Sequence, residues 1–285
     1  MARDIDPSLN RRRLRIELRK ARDEAGLTQR DAVQQLEWSL SKLIRIEKGT
    51  VSLGVTDLRA LLQLYGVTEP DRVTELEEAA RGSKGASWWA QYSEVVSPAY
   101  ALYLGYEGSA DTIRMYNPVV LPGLVQTEDY ATALLSAQTG EARVRPQVEL
   151  RITRQERFFE TDDGPEIDIV LDEASLRRQI GGPAVLRRQL DHLKTLTEHP
   201  RTTIRVLPFS VGAHFSVSIS LILLEFKNDD DLLFLEGPGG GLSSRDDFGL
   251  VARHQENFEE ISAEAYEGAR VIEVLDEVRE SLATS

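Results

Sequence analysis

Between Gln29 and Thr50 the sequence gathers side chains suited to meeting a nucleic-acid duplex. Arg45 can fork onto the two acceptors of a guanine edge or onto a phosphate, and Lys42 can do either as a point charge. Ser41 can read a base edge or cap a helix, and Leu40 can meet a thymine methyl or pack on Trp38. Gln29 and Arg30 suit contacts to the sugar-phosphate backbone that hold register without reading sequence. Lys48 suits a phosphate, and Ser39 and Thr50 suit capping or turn positions beside one. Glu47 reads as an intradomain ion-pair or cap partner, and Leu43 and Ile46 read as core.

Those residues need short helices to present them. Apolar positions from Leu9 to Ala25 recur at near-helical spacing, with Gly26 as the stop, which predicts a helix over 8–25. Thr28 caps a second helix, 29–36, and Ser39 caps a third that runs to about Lys48. A fourth is predicted over 55–65 from Leu58, Leu61, Leu62 and Tyr65, and Pro70 opens a fifth. Two short helices a few residues apart have the dimensions of a helix-turn-helix, whose second helix enters the major groove.

Charge is divided accordingly. The chain has 285 residues, 34 Lys and Arg against 47 Asp and Glu, and a formal net charge of -13. Residues 1–50 hold 12 basic and 8 acidic residues, a balance of +4, which leaves 22 against 39, or -17, for the rest. The global excess argues against nucleic acid, because like charges oppose approach to phosphates, and the basic first segment reverses that argument locally. The Arg11, Arg12, Arg13 cluster is expected to approach a backbone or lie solvated. With no cysteine, disulfides and cysteine-ligated metals are excluded. The longest apolar run, 216–226, is about half of the ~20 residues a membrane helix needs, so a soluble, cytoplasmic chain with no membrane partner is expected.

TQRDAVQQLEWSLSKLIRIEKGT, residues 28–50, resembles the DNA-binding domain of XRE-type regulators, the family of phage repressor and Cro. That pattern places Thr-Gln at the second helix and S-x-S-x-x-x-R-I-E-x-G through the third, and the resemblance extends over roughly 8–80. Two positions depart from it. Val33 stands where the family has a small Ala at the close helix crossing, with Ala32 just before it. Glu37 stands where the turn most often has Gly, and would cost about 1 to 2 kcal/mol in a left-handed conformation.

GSKGAS, residues 82–87, reads as a linker between a domain over 1–81 and another over 88–285. Trp88 and Trp89 are too large for an exposed linker and are expected to pack, with an aromatic platform for a ligand as the alternative. Helical spacing is read over 97–115, 127–136, 144–160, 183–198, 248–262 and 264–281. EIDIVLD, TTIRVLPF, SVSISLILLEF and DLLFLEG read as strands, the last two joined through NDDD as a hairpin. Strands grouped between helical runs predict an α+β domain with an antiparallel or mixed sheet behind the five-helix, all-α first domain.

WWAQYSEVVSPAY, VVLPGLVQTEDYA and PF-x-x-GAHFS are similar to the C-terminal domain of the WhiJ-like, antitoxin-like regulators of filamentous actinobacteria. The resemblance implies a transcription factor whose second domain is a sensory or partner-binding module, often associated with a small protein encoded next door. It supplies no ligand-contacting residue.

Nothing in the second domain has the spacing of a catalyst. His192, His199, His214 and His254 form no metal-ligand motif, and there is no G-x-S-x-G or phosphate-loop Lys. GPGGG, 237–241, and the acidic turns at 162–163 and 229–231 read as loops. His214, before the strongest strand, reads as a satisfied structural histidine or the edge of a pocket. The expectation is a dimeric regulator that binds double-stranded DNA at an inverted repeat, without cofactor or catalysis. The alternative is an antitoxin-like or adaptor protein acting through protein-protein contacts.

Overall fold

The structure is a computed structural model that describes residues 7–48, 51–160, 164–227, 230–236, 242–244 and 247–282. The chain divides into two units, Met1–Gln91 and Tyr92–Ser285. The GSKGAS stretch belongs with the first: Ser83 is fully buried and donates to Ala80 O at 2.8 Å. Arg11 ties the same stretch down, donating to Ser83 O at 3.0 Å and to Ser87 Oγ at 2.9 Å.

Five helices make the first unit: α1 Pro7–Glu24, α2 Gln29–Leu36, α3 Leu40–Glu47, α4 Val55–Leu64 and α5 Pro70–Gly82. Their apolar stripes converge on one core that includes Leu14, Leu18, Ala32, Leu43, Leu58 and Leu61. Three of the starts have a local cause. Thr28 and Asp31 form a reciprocal capping box at α2, Ser39 Oγ accepts from Lys42 N at α3, and Pro70 opens α5. Between α2 and α3 the chain turns on Glu37, at φ 54° and ψ 37°. It is the one non-glycine residue with positive φ among the described residues. Ala32, fully buried, takes the tight position in the core, and Val33 packs at its margin. Trp88 and Trp89 fall in a turn of 3-10 helix, both half-buried, with rings edge to face at 5.7 Å.

The second unit is α+β. Its helices are α6 Pro98–Glu107, α7 Glu128–Gln138, α8 Glu141–Phe159, α9 Glu173–Arg177, α10 Pro183–Thr197, α11 Phe248–Glu264 and α12 Ala269–Ser281. Its strands are β1 Thr112–Asn117, β2 Glu166–Asp172, β3 Thr202–Leu207, β4 Ser220–Glu225, β5 Leu232–Glu236 and β6 Leu242–Ser244. They form one mixed sheet in the order β3-β2-β1-β4-β5-β6. β1, β2 and β3 are parallel, and β4, β5 and β6 continue antiparallel. Alternation along the strands puts Tyr116, Val170, Leu223 and Leu233 on the face covered by Val251, Phe258 and Ile261 of α11. Ile113, Met115, Asn117 and Phe234 take the opposite face, where Tyr103 of α6 stacks on Phe234 at 4.8 Å.

One segment corrects the sequence reading. The helix expected over 97–115 ends at Glu107, and Thr112–Asn117 is the central strand of the sheet. Gly108 and Ser109 interrupt the helix, and Ile113 and Met115, both fully buried, alternate with Arg114. That period of two is hidden by the apolar spacing of α6 just before it. α9 and β6 are too short to leave a pattern. The strand expected from Ser216 begins only at Ser220.

Candidate nucleic-acid interface

The third helix is held from beneath by a charged network. Arg22 on α1 donates through Nε to Glu47 Oε1 at 2.7 Å and through Nη2 to Oε2 at 3.3 Å. It also donates to Leu27 O at 2.8 Å, which fixes the chain entering α2. Gln29 Nε2 completes the set by donating to Glu47 Oε2 at 2.7 Å. Burial draws the Arg22 guanidinium's pKa down, and the hydrogen bond and charge of Glu47 more than reverse this, so it sits above its ordinary value. α1, the start of α2 and the end of α3 therefore share one carboxylate, and the angle between the two short helices is set by it.

The outer face of α3 is what this arrangement presents. Ser41, Arg45 and Lys48 are exposed at i, i+4 and i+7, one stripe along the helix, while Leu43, Ile46 and Glu47 face inward. Leu40, at 36% exposure, and Ser39 flank the first turn, and Arg30 is exposed on the first turn of α2. Lys42 is different. Its ammonium lies 3.6 Å from the centre of the Trp38 ring and 2.9 Å from Asp57 Oδ2 on α4. It bridges the turn, α3 and α4 through a cation-π contact and an ion pair.

Sequence reasoning placed Ser39, Leu40, Ser41, Arg45 and Lys48 in one region, and the structure has them exposed along α3 and its two caps, with Arg30 exposed on the first turn of α2. Thr50 lies outside the described residues, as do 162–163, 229 and 237–241. The side-chain amide of Gln29 is turned to Glu47, so its part is to set the start of α2. In the arginine cluster on α1, Arg13 stays exposed as one of the two expected readings had it, and Arg11 is tied down instead. Arg11 holds residues 83–87 and Arg13 pairs with Glu75, because α1 lies along α5 and carboxylates on that side answer its charge. Arg22 and Asp57 were missed, since each meets its partner only when the helices pack.

In the second unit, His214 Nε2 lies 3.2 Å from the Tyr116 hydroxyl, which donates to Asp172 Oδ2 at 3.0 Å. His214 Nδ1 is buried without a hydrogen-bond partner among the described residues, so among them this imidazole is satisfied on one side only. Burial lowers its pKa, and the Asp172 charge opposes the shift. Asp231, one of the acidic turn residues, accepts from Phe226 N at 2.9 Å and from Gln255 Nε2 at 2.8 Å, which makes it structural. No helix among the described residues is long and apolar enough to cross a membrane.

Two family models match the chain. A helix-turn-helix domain matches residues 13–76, and a domain of unknown function, DUF5753, matches residues 100–277. Neither the curated proteins nor the solved structures compared with the chain match it.

Proposed function

Because the chain belongs to the DUF5753 family, whose match spans more than half of it, and carries a helix-turn-helix domain in front, we propose that it is a sequence-specific, DNA-binding transcriptional regulator. The observation that carries this reading is the exposed Ser41, Arg45, Lys48 stripe on a helix locked by Arg22, Glu47 and Gln29. A polar, basic helix face on a rigid support is what base and phosphate contacts require. One small domain makes too few contacts for a typical operator affinity, so the chain acts as a homodimer on an inverted repeat with half-sites about one helical turn apart.

The acidic second unit, repelled by DNA, then lies away from the duplex and controls occupancy through a ligand or a small partner protein, as in WhiJ-like, antitoxin-like regulators. The reading assigns the chain no catalytic role and places it in the cytoplasm. Fluorescence anisotropy of the purified protein on its own upstream DNA, at two salt concentrations with scrambled competitor, tests it. Selective binding that weakens steeply with salt is the expected result. Binding that is equal on scrambled DNA, or absent, overturns the regulator reading in favour of an adaptor that works through its acidic unit.

A further inference from the structure

Arg151 and Arg154 stand three positions apart on α8, and the protein answers the charge of one of them. Arg154 is buried and donates through Nε to both oxygens of Glu107, at 3.0 and 2.7 Å, and through Nη2 to the Tyr103 hydroxyl at 2.6 Å. Arg151 makes a single side-chain hydrogen bond among the described residues, to the neutral amide oxygen of Gln126, and no ion pair. Protein surrounds it on most sides while part of it stays open to solvent. Burial lowers the pKa of its guanidinium and Arg154 adds to the fall, with Tyr100 and Glu236 acting the other way. A guanidinium does not shed its proton inside a protein, so a desolvated one with spare donors, helped by Glu236 only through its charge and not by a direct ion pair among the described residues, is further stabilised by an anion from outside.

A second, independent feature lies on the same face of the sheet. Asn117 ends β1, is 3% exposed and has a buried Oδ1 with no hydrogen-bond partner among the described residues. Its Nδ2 donates to Glu236 Oε2 at 3.3 Å, which fixes the amide so that Oδ1 is the atom left open. Glu236 ends β5 in register with Ser220, two residues after Phe234, so Asn117, Phe234 and Glu236 share one face. Tyr100 packs against Phe234 at 6.3 Å and accepts from Arg154 Nη1 at 3.4 Å, which joins that face to α8. The place is also a topological switch: the chain leaves β1 for β2 on one side and returns as β4 on the other, where open sheets hold ligands outside the carboxyl ends of their strands.

We propose that the site formed by Arg151, Asn117 and Glu236 binds a small molecule carrying an oxyanion with a hydrogen-bond donor beside it. Arg151 takes the phosphate or carboxylate, and Asn117 Oδ1 accepts from the adjacent O–H or N–H. Glu236 at the rim favours that donor end and disfavours a second negative group. Its place in control of DNA binding rests on the regulator reading above, whereas the binding itself does not.

Thermal unfolding of the full chain, titrated at constant ionic strength with inorganic phosphate, with glycine, and with chloride as control, tests the site. Phosphate and glycine separate the two sources of oxyanion. The expected result is a saturable rise in Tm with at least one of them and none with chloride. Arg151→Met should weaken that response tenfold or more. Gly123→Ala places a methyl 3.0 Å from Arg151 Nε and 3.4 Å from its Cζ at an ordinary backbone conformation, so it should weaken the response several-fold while the fold persists. Absence of a saturable response to either probe in the wild type overturns the proposal. So does a response of equal strength in Gly123→Ala and in any folded Arg151→Met. Because no DNA enters the experiment, its failure is distinct from failure of the regulator reading.

Discussion

Arg22 and Glu47, 25 positions apart in sequence, form a bidentate ion pair with 11% and 4% of their side chains exposed. Removing one partner of a buried pair leaves the other charge without compensation, which costs about 3 to 5 kcal/mol. Arg22→Met is expected to lose about 3 kcal/mol, since Gln29 still donates to the orphaned carboxylate, and to lose DNA binding with it. All three tryptophans, Trp38, Trp88 and Trp89, lie in the first unit, so urea unfolding followed by their fluorescence in the full chain reads this domain alone. An unchanged transition would show that the pair does not hold α3.

Glu37 makes the opposite case, a residue that the fold tolerates. Its φ of 54° and ψ of 37° are left-handed, where an L side chain meets the following carbonyl at a cost of about 1 to 2 kcal/mol. Glycine avoids that cost and loses roughly 0.4 to 1 kcal/mol through its freer unfolded chain. Glu37→Gly should therefore stabilise the domain by about 0.5 to 1 kcal/mol in the same fluorescence experiment. A loss of stability would mean that the Glu37 side chain supplies something its exposed position does not suggest.

These two residues mark what a sequence can convey. Capping side chains act within three or four positions, so Thr28, Ser39 and Pro70 announced their helices, and Glu37 was legible because a turn imposes one backbone conformation. Arg22, Asp57 and Arg151 gain their roles from partners on other elements, and nothing local records that. The central strand was obscured for a related reason. TIRMYN follows an apolar helix after four residues, Gly108, Ser109, Ala110 and Asp111, and its alternation becomes visible only when β2 and β4 pair on either side of it. Candidate residues were therefore readable as a group where they lie on one helix, and unreadable where the sheet brings them together.

On that helix Arg45 and Lys48 should separate in their effects. Arg45→Ala is expected to lose roughly 1 to 3 kcal/mol of specific binding and to relax preference at one base pair. Lys48→Ala should weaken every sequence alike and reduce the slope of log affinity against log salt by about one. Anisotropy on operator and scrambled duplexes distinguishes them, and a sequence-selective loss with Lys48→Ala would exchange the two assignments.

Lys42 is held at 2.9 Å by Asp57, a contact it must give up to reach a phosphate. Both side chains are more than a third exposed, so the pair itself contributes little to stability. Asp57→Asn removes the competing carboxylate and one negative charge beside the interface. The expected outcome is tighter DNA binding at low salt, a slope steeper by about one, and an unfolding midpoint close to wild type. Binding that is unchanged would assign Lys42 to the Trp38 contact and exclude it from the interface.

His254 on α11 gives a pH dependence confined to the second unit. It is 2% exposed, its Nδ1 has no hydrogen-bond partner among the described residues, and the Phe215 ring meets it edge on at 5.5 Å. Burial lowers its pKa from 6.5, and the charge of Arg253 lowers it further. The unfolded chain therefore takes up its proton at a higher pH than the folded one. Stability is fully present above about 6.5 and falls as pH drops from there to the folded value, with no further change below it. Asp168 and Glu225, whose carboxyls burial pushes up, act in the opposite direction at lower pH, so the informative quantity is a difference between variant and wild type. His254→Leu removes both the titration and an unsatisfied polar atom in a buried position. Circular dichroism melts between pH 8 and pH 5.5 should show a shallower acid decline for the variant than for the wild type. Parallel declines would place the titrating group elsewhere, with His214 and His192, both also lowered by burial, the next to replace.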